Sequence, residues 1–191
     1  MVGSPHSSPY RRPAGCNPVR RHGLHRGERQ GYDRCVGAVR INHVSVPCRD
    51  LDESERFYRE VFALERLPAP DFRFPVRWLR LGDQQLHLYH LAEEPLPNQH
   101  FAVDVDDFEA TFVKLRELGA LERVDGSAPV WELPDGALQL YARDPSGNKI
   151  EINWRDVSTV DRDLVGAIEK RADDVAQSEA ARGATLYHAS S

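Results

Sequence analysis

Four side chains in this sequence are of the right type and setting to hold a metal ion: His43, His87, His100 and Glu151. Each interrupts an apolar run, as Asn-His-Val, Leu-His-Leu, Gln-His-Phe and Ile-Glu-Ile. Imidazole and carboxylate donors suit Fe(II), Mn, Ni or Zn, and two His with one carboxylate form a facial set that leaves positions open for a substrate. A buried Glu without a partner is costly, and a divalent cation removes that cost. Singly, each His would read as a core or surface residue, and Glu151 as the wet face of an alternating strand. Their placement in the chain argues otherwise.

Setting His43 on His100, an offset of 57, aligns Val46 with Val103, Asp50 with Asp107, Arg59 with Arg116, Glu60 with Glu117, Ala63 with Ala120 and Leu64 with Leu121. That is seven identities over 22 ungapped positions, where ordinary composition gives about one or two. Each copy opens with an alternating strand (Ile41–Val46 in the first) followed by a helix. Asp50 with Glu53 resembles a capping pair for a helix through about Phe62. Phe108, Phe112, Leu115 and Leu118 form the core stripe of the second helix. Strands are expected at Leu64–Leu67, Val76–Leu81 and Gln85–His90, then at about Leu121–Val124, Leu138–Ala142 and Lys149–Trp154. Asp144-Pro145-Ser146-Gly147 is a turn between the last two, and Gly82-Asp83 its counterpart. Superposing these turns lays His87 on Glu151. The chain therefore reads as two βαβββ modules, 41–91 and 98–154, whose four polar residues are related by a pseudo-twofold and can converge on one cavity.

The flanks differ in character. Residues 1–40 carry eight Arg against two acids (Glu28, Asp33), with six Gly and four Pro. Such a segment is expected to be a disordered leader, read most simply as sequence upstream of a start at Val36 or Val39. Residues 155–191 form a C-terminal extension. Within 158–182, Leu164, Ile168, Ala172 and Val175 lie on one stripe, which predicts an amphipathic helix stopping near Gly183 and packing on its own domain or a sister subunit. The whole chain has a net charge of −5. Because the leader is basic, the body is more acidic still, unlike a nucleic-acid binder. No apolar run is long enough to span a membrane. Three cysteines, two of them in the leader, make no disulfide framework. A cytoplasmic protein acting on a small molecule is the expectation.

Paired βαβββ modules with this pattern resemble the vicinal oxygen chelate superfamily, the glyoxalase/bleomycin-resistance/dioxygenase fold. The stretch Leu140–Glu151 (LYARDPSGNKIE) is similar to that family's closing motif, and Phe57-Tyr58 with Val61 and Leu64 to its first-helix pattern. The resemblance covers 41–154. It implies an α+β fold in which the modules form a half-open barrel, and a divalent metal (Fe, Mn, Ni or Zn) held by His43, His100 and Glu151, with His87 at a fourth position. Glyoxalase I carries Glu there, so His87 departs from it.

The resemblance further implies acid–base work by Glu151 or His87 and substrate contacts from Tyr141 and Ser45; Trp78 either lines the substrate pocket or packs on an exposed face or in the core, and a homodimer is expected. The expected reaction is glyoxalase-like lyase or isomerase chemistry, with the metal as Lewis acid on vicinal oxygens. The alternatives are extradiol ring cleavage, in which Glu132 stands where that group has an acid–base His, a fosfomycin-type thiol transfer, and a non-catalytic binder. Trp131 is a pocket or core residue on this reading, Cys48 a packing residue, and His90 a surface residue on the strand face opposite His87. Arg80 and Arg143 either hold a substrate carboxylate or face solvent.

Overall fold

The computed structural model describes residues 40–123 and 128–187; the expected leader lies outside them apart from Arg40, as does the end of the expected strand at Val124. The first module runs β1 (His43–Cys48), α1 (Leu51–Phe62), β2 (Glu65–Leu67), β3 (Val76–Leu81) and β4 (Gln84–His90). The second runs β5 (His100–Asp104), α2 (Phe108–Glu117), β6 (Leu121–Glu122), β7 (Val130–Glu132), β8 (Leu138–Arg143) and β9 (Lys149–Trp154). The fold is α+β, built on two mixed sheets. One has the order β1-β4-β3-β2; the other has β10-β7-β8-β9-β5, where β10 is Ile168–Lys170, with β6 pairing β8. No closed barrel is present among the described residues.

Local chemistry explains the module boundaries. Asp50 caps α1, its Oδ1 accepting from the backbone N–H groups of Asp52 and Glu53 at 2.9 Å each. Asp107 caps α2 by accepting from Ala110 N–H at 2.9 Å. These contacts satisfy donors that the first helical turn leaves orphaned. Phe57, Tyr58 and Val61 of α1, and Phe108, Phe112 and Leu115 of α2, are buried against Leu79, Leu86, Leu88, Leu140, Ile150 and Ile152 of the sheets. Leu118, expected on the α2 stripe, instead follows the helix as its C-cap and is exposed.

The parallel pairings have the same register in both modules. His43 lies opposite Gln85 and Ser45 opposite His87; His100 lies opposite Lys149 and Ala102 opposite Glu151. Side chains alternate across a strand, so the apolar residues between these positions face the helices and the chemistry-bearing ones face away from them.

A buried polar joint ties the modules together. Tyr58 Oη donates to Asp144 Oδ2 at 3.0 Å, and Asp144 Oδ1 accepts from the N–H groups of Ser146 (2.9 Å) and Asn148 (2.8 Å). Asn148 Nδ2 donates to the Pro47 carbonyl at 2.7 Å. Burial pushes the Asp144 carboxyl up, against the pull of these donors.

The extension corrects the sequence expectation. In place of one helix it forms a 3-10 turn (Val157–Thr159), α3 (Arg162–Val165), the strand β10, α4 (Arg171–Asp174) and α5 (Glu179–Arg182). Gly166, at φ 76°, ends α3, and Ile168–Lys170 then gains a parallel ladder with β7. The expected stop at Gly183 is observed as the C-cap of α5.

Candidate metal-binding site

The structure brings the four predicted residues together as two pairs. His100 Nε2 lies 3.2 Å from Glu151 Oε2. His43 and His87 stack, with ring centroids 4.3 Å apart and planes at 16°. Among the described residues no group of three or more His, Cys, Asp or Glu side chains is gathered to hold a metal.

The second-module pair is the better defined. Its carboxylate is almost fully buried, with 7% side-chain exposure, whereas His100 retains 38%. Glu151 Oε1 accepts from Gln139 Nε2 at 2.7 Å. Tyr141 also hydrogen-bonds Glu151; burial and that carboxylate push its phenol up to about 12, so it stays protonated and donates. The His100 ring meets Tyr141 edge-on at 5.7 Å, and Lys149 Nζ sits 4.2 Å above the Tyr141 ring. His100 Nδ1 is 3.0 Å from the Asn98 carbonyl, a contact that requires Nδ1 to carry the proton. Its Nε2 faces the Glu151 oxygen, and the two atoms can share either a proton or a cation. Donors held about 2.1 Å from one ion at 90–110° lie about 3.0–3.4 Å from each other, so the pair fits a divalent metal. The Nδ1–H to carbonyl bond is the usual support of a metal-binding imidazole.

In the first module, His43 Nδ1 lies 2.5 Å from Asn42 Oδ1, leaving Nε2 free. His87 is sandwiched, with Trp78 on its other face at 4.3 Å and 4°, and its Nε2 is 2.8 Å from Gln85 Oε1. Burial first, and the neighbouring His43 second, lower its pKa below the ordinary imidazole value. Imidazole lone pairs lie in the ring plane, so near-parallel rings do not aim at one ion. In this arrangement His87 presents its face to His43, and donation to the same metal requires its ring to rotate.

The predicted substrate contacts divide between the modules. Ser45 and His100 line one cavity of about 230 Å³ between β1 and the start of β5, with Lys149 and Asn148. Tyr141 lies beside Glu151, and Trp78 backs His87. Glu132 is committed elsewhere: it pairs with Arg162 at 3.6 Å and Lys170 at 3.4 Å. Arg143 donates to the Gly147 and Pro97 carbonyls and pairs with Glu122, while Arg80 pairs with Glu65. Trp131 is buried. So is Cys48, whose thiol burial pushes up to about 11; His90 is exposed. Sequence reasoning missed Gln139. The signal was available, because Gln139 and Tyr141 share a face of an alternating strand.

Residues 40–152 match the sequence model of the Glyoxalase/Bleomycin resistance protein/Dioxygenase superfamily, and the chain belongs to that family. Its curated relatives include enzymes. Glyoxylase I 4 of Arabidopsis thaliana is 31% identical over 125 residues, 59% of this chain and 68% of its own length. The mitochondrial methylmalonyl-CoA epimerase of Homo sapiens is 24% identical over 107 residues, 46% and 61% of the two lengths. Among solved structures, a glyoxalase-family protein from Bacillus anthracis shares 25% identity over 62% of this chain and 96% of its own, with a TM-score of 0.50. The fosfomycin resistance protein FosX of Listeria monocytogenes reaches a TM-score of 0.52 over 64% and 96% at 11% identity, a likeness of fold alone. No helix among the described residues is long and apolar enough to cross a membrane.

Proposed function

We propose that this chain is a metal-dependent, glyoxalase-type lyase or isomerase that moves a proton beside a carbonyl in a small substrate with vicinal oxygens. The observation that carries this reading is the His100–Glu151 pair: an imidazole nitrogen and a buried carboxylate oxygen 3.2 Å apart, each side chain oriented by a second hydrogen bond. His100, Glu151 and the free Nε2 of His43 would hold the metal, which supplies Lewis acidity toward the substrate oxygens. Joining the first-module His to the second-module pair is the work of a homodimer on this proposal. It is supported by β1 and β5, the outermost strands of their sheets, which carry His43 and His100.

The protein's own groups do the rest. Glu151 is the proton carrier: Gln139 and Tyr141 fix the position of its carboxylate. Tyr141 donates its one hydroxyl proton to Glu151, so toward the substrate its phenol oxygen would accept. Ring cleavage has less support, because Glu132 is neutralised by Arg162 and Lys170 and cannot serve as the absent acid–base group.

The test has two arms. Untagged protein is analysed for metal, with about one divalent ion per chain expected. Nickel- or zinc-loaded protein is then assayed with a thiol–2-oxoaldehyde adduct, in parallel with anaerobic Fe(II) loading, a catechol panel and admission of air. Turnover of the adduct is expected. Yellow ring-fission products with stoichiometric O₂ uptake, or a folded protein that takes up none of these metals, would overturn the proposal.

A further inference from the structure

The C-terminal segment is pinned at both ends to the face of the second sheet that carries Glu151. At one end, Arg171 lays its guanidinium 3.8 Å over the Trp131 ring of β7. At the other, Tyr187 Oη donates to Asp104 Oδ1 of β5 at 2.9 Å, and Arg155 stacks on the Tyr187 ring at 4.0 Å. Between these anchors the sheet register runs Trp131 to Gln139, Gln139 to Asn153 and Asn153 to Asp104. This row is adjacent to the row containing Tyr141, Glu151 and Ala102. Gln139 links the two, since it holds the Glu151 carboxylate.

Two features of the row are unexplained by structure alone. Trp131 is 3% exposed and Asn153 6%, yet Trp131 Nε1 and Asn153 Oδ1 have no hydrogen-bond partner. Buried donors and acceptors are rarely left so, and each raises the free energy of the state that orphans it. The segment lying over this face is also lightly held. Neither α4 nor α5 has a buried residue, and Val175 and Leu186 are 58% and 42% exposed. Three strand spacings of about 4.8 Å separate the anchors, and a path of that length needs far fewer residues than the chain supplies between 171 and 187. Few buried contacts and slack mark a segment from the low-stability end of a fold.

We propose that residues 171–187 form a movable strap over the Glu151-bearing face, and that Trp131 and Asn153 beneath it are ligand contacts. Trp131 supplies a donor and Asn153 an acceptor to the end of the ligand remote from the metal. A ligand presenting an acceptor to Trp131 and a donor to Asn153 satisfies both orphans and favours the closed strap. The matched family region ends at residue 152, and the strap lies beyond it. The assignment of these contacts rests on the reading of the site given above; the motion of the strap does not.

The experiment is site-resolved indole oxidation of the full-length protein, read by peptide mass spectrometry, with Trp154 as internal control. Tyr187→Phe removes the hydrogen bond to Asp104 and keeps the ring under Arg155. Labelling of Trp131 is expected to accelerate at least threefold in this variant, with Trp154 unchanged. Equal Trp131 rates in variant and parent, or equal acceleration of both tryptophans, would overturn the strap. In zinc-loaded parent protein, the thiol–2-oxoaldehyde adduct is expected to protect Trp131. Turnover of that adduct with Trp131 unprotected would overturn the ligand contacts. Absence of turnover counts against the proposed activity alone, since the Tyr187→Phe comparison decides the strap without substrate.

Discussion

Replacing Glu151 by Gln tests the candidate site without dismantling the fold around it. The amide is nearly isosteric with the carboxylate. Its Oε1 can still accept from Gln139 Nε2, and its NH₂ can donate to His100 Nε2 in place of the present 3.2 Å contact. Tyr141 can keep donating to Oε1 or turn its hydroxyl to accept from the new NH₂, so no buried group is orphaned and the metal-free variant should unfold within about 1 kcal/mol of the parent. Metal affinity should change far more. Removing a mere supporting contact typically costs 10–100-fold, and a lost ligand charge costs no less, so a 100-fold weaker Kd is expected. Metal at about 100 times the parent's Kd stabilises the folded state by about 2.7 kcal/mol. In the variant the same concentration only equals Kd, and the gain falls to about 0.4 kcal/mol. For a domain of this size 1 kcal/mol is about 2–4 °C in Tm. The parent should therefore gain about 5–11 °C on adding metal, and the variant about 1 °C. Scanning calorimetry with and without zinc or nickel measures both. A variant that keeps the parent's metal-induced shift would refute the ligand assignment.

Three further perturbations follow from the packing. Tyr58→Phe removes the donor to the buried Asp144 carboxylate and should cost about 1.5–3 kcal/mol in urea unfolding; a loss under 0.5 would show the joint to be ornamental. Cys48, with its thiol near 11 against an ordinary 9.0, contributes stability that is complete below pH 9 and lost as pH rises toward 11. The parent should lose up to about 1.4 kcal/mol per pH unit there relative to Cys48→Ala, and parallel curves would contradict the burial argument. Gly166→Ala meets no atom within 4 Å, so its cost is backbone strain at φ 76°, about 1–3 kcal/mol. It should also free β10, read as faster amide exchange at Ile168–Lys170, and unchanged exchange would mean that strand pairing alone sets the extension's course.

The repeated module was legible in the sequence because its signals are local or internally duplicated. Asp50 and Asp107 cap helices within their own turns, and the 57-residue offset survives as identical strand registers, His43 against Gln85 and His100 against Lys149. What failed depends on partners distant in the chain. Leu164, Ile168, Ala172 and Val175 are spaced for a helix, yet Ile168–Lys170 is a strand because β7 offers it an edge, and Val175 is exposed. Gly166 was the available warning: a glycine inside an apparent helix lowers its propensity by about 1 kcal/mol, enough for an edge ladder to prevail. The pairing of ligands was half legible. Alternation places His87 and Glu151 on the face away from the helices, but ring orientation within a face carries no periodic signal, and Trp78, opposite His87 in the register, decides it by stacking.

Glu132 shows how one non-local contact bears on both fold and function. Its carboxylate draws Lys170 and Arg162 to the edge of β7, which fixes where β10 docks and therefore where Arg171 meets Trp131. A histidine at the same position would be free for acid–base chemistry but would lose the charge that anchors the extension. The residue that weakens the ring-cleavage reading is thus the residue that carries the strap to the open face of the sheet. Charge at position 132 should consequently govern access to Glu151 even though Glu132 forms no part of the pair with His100.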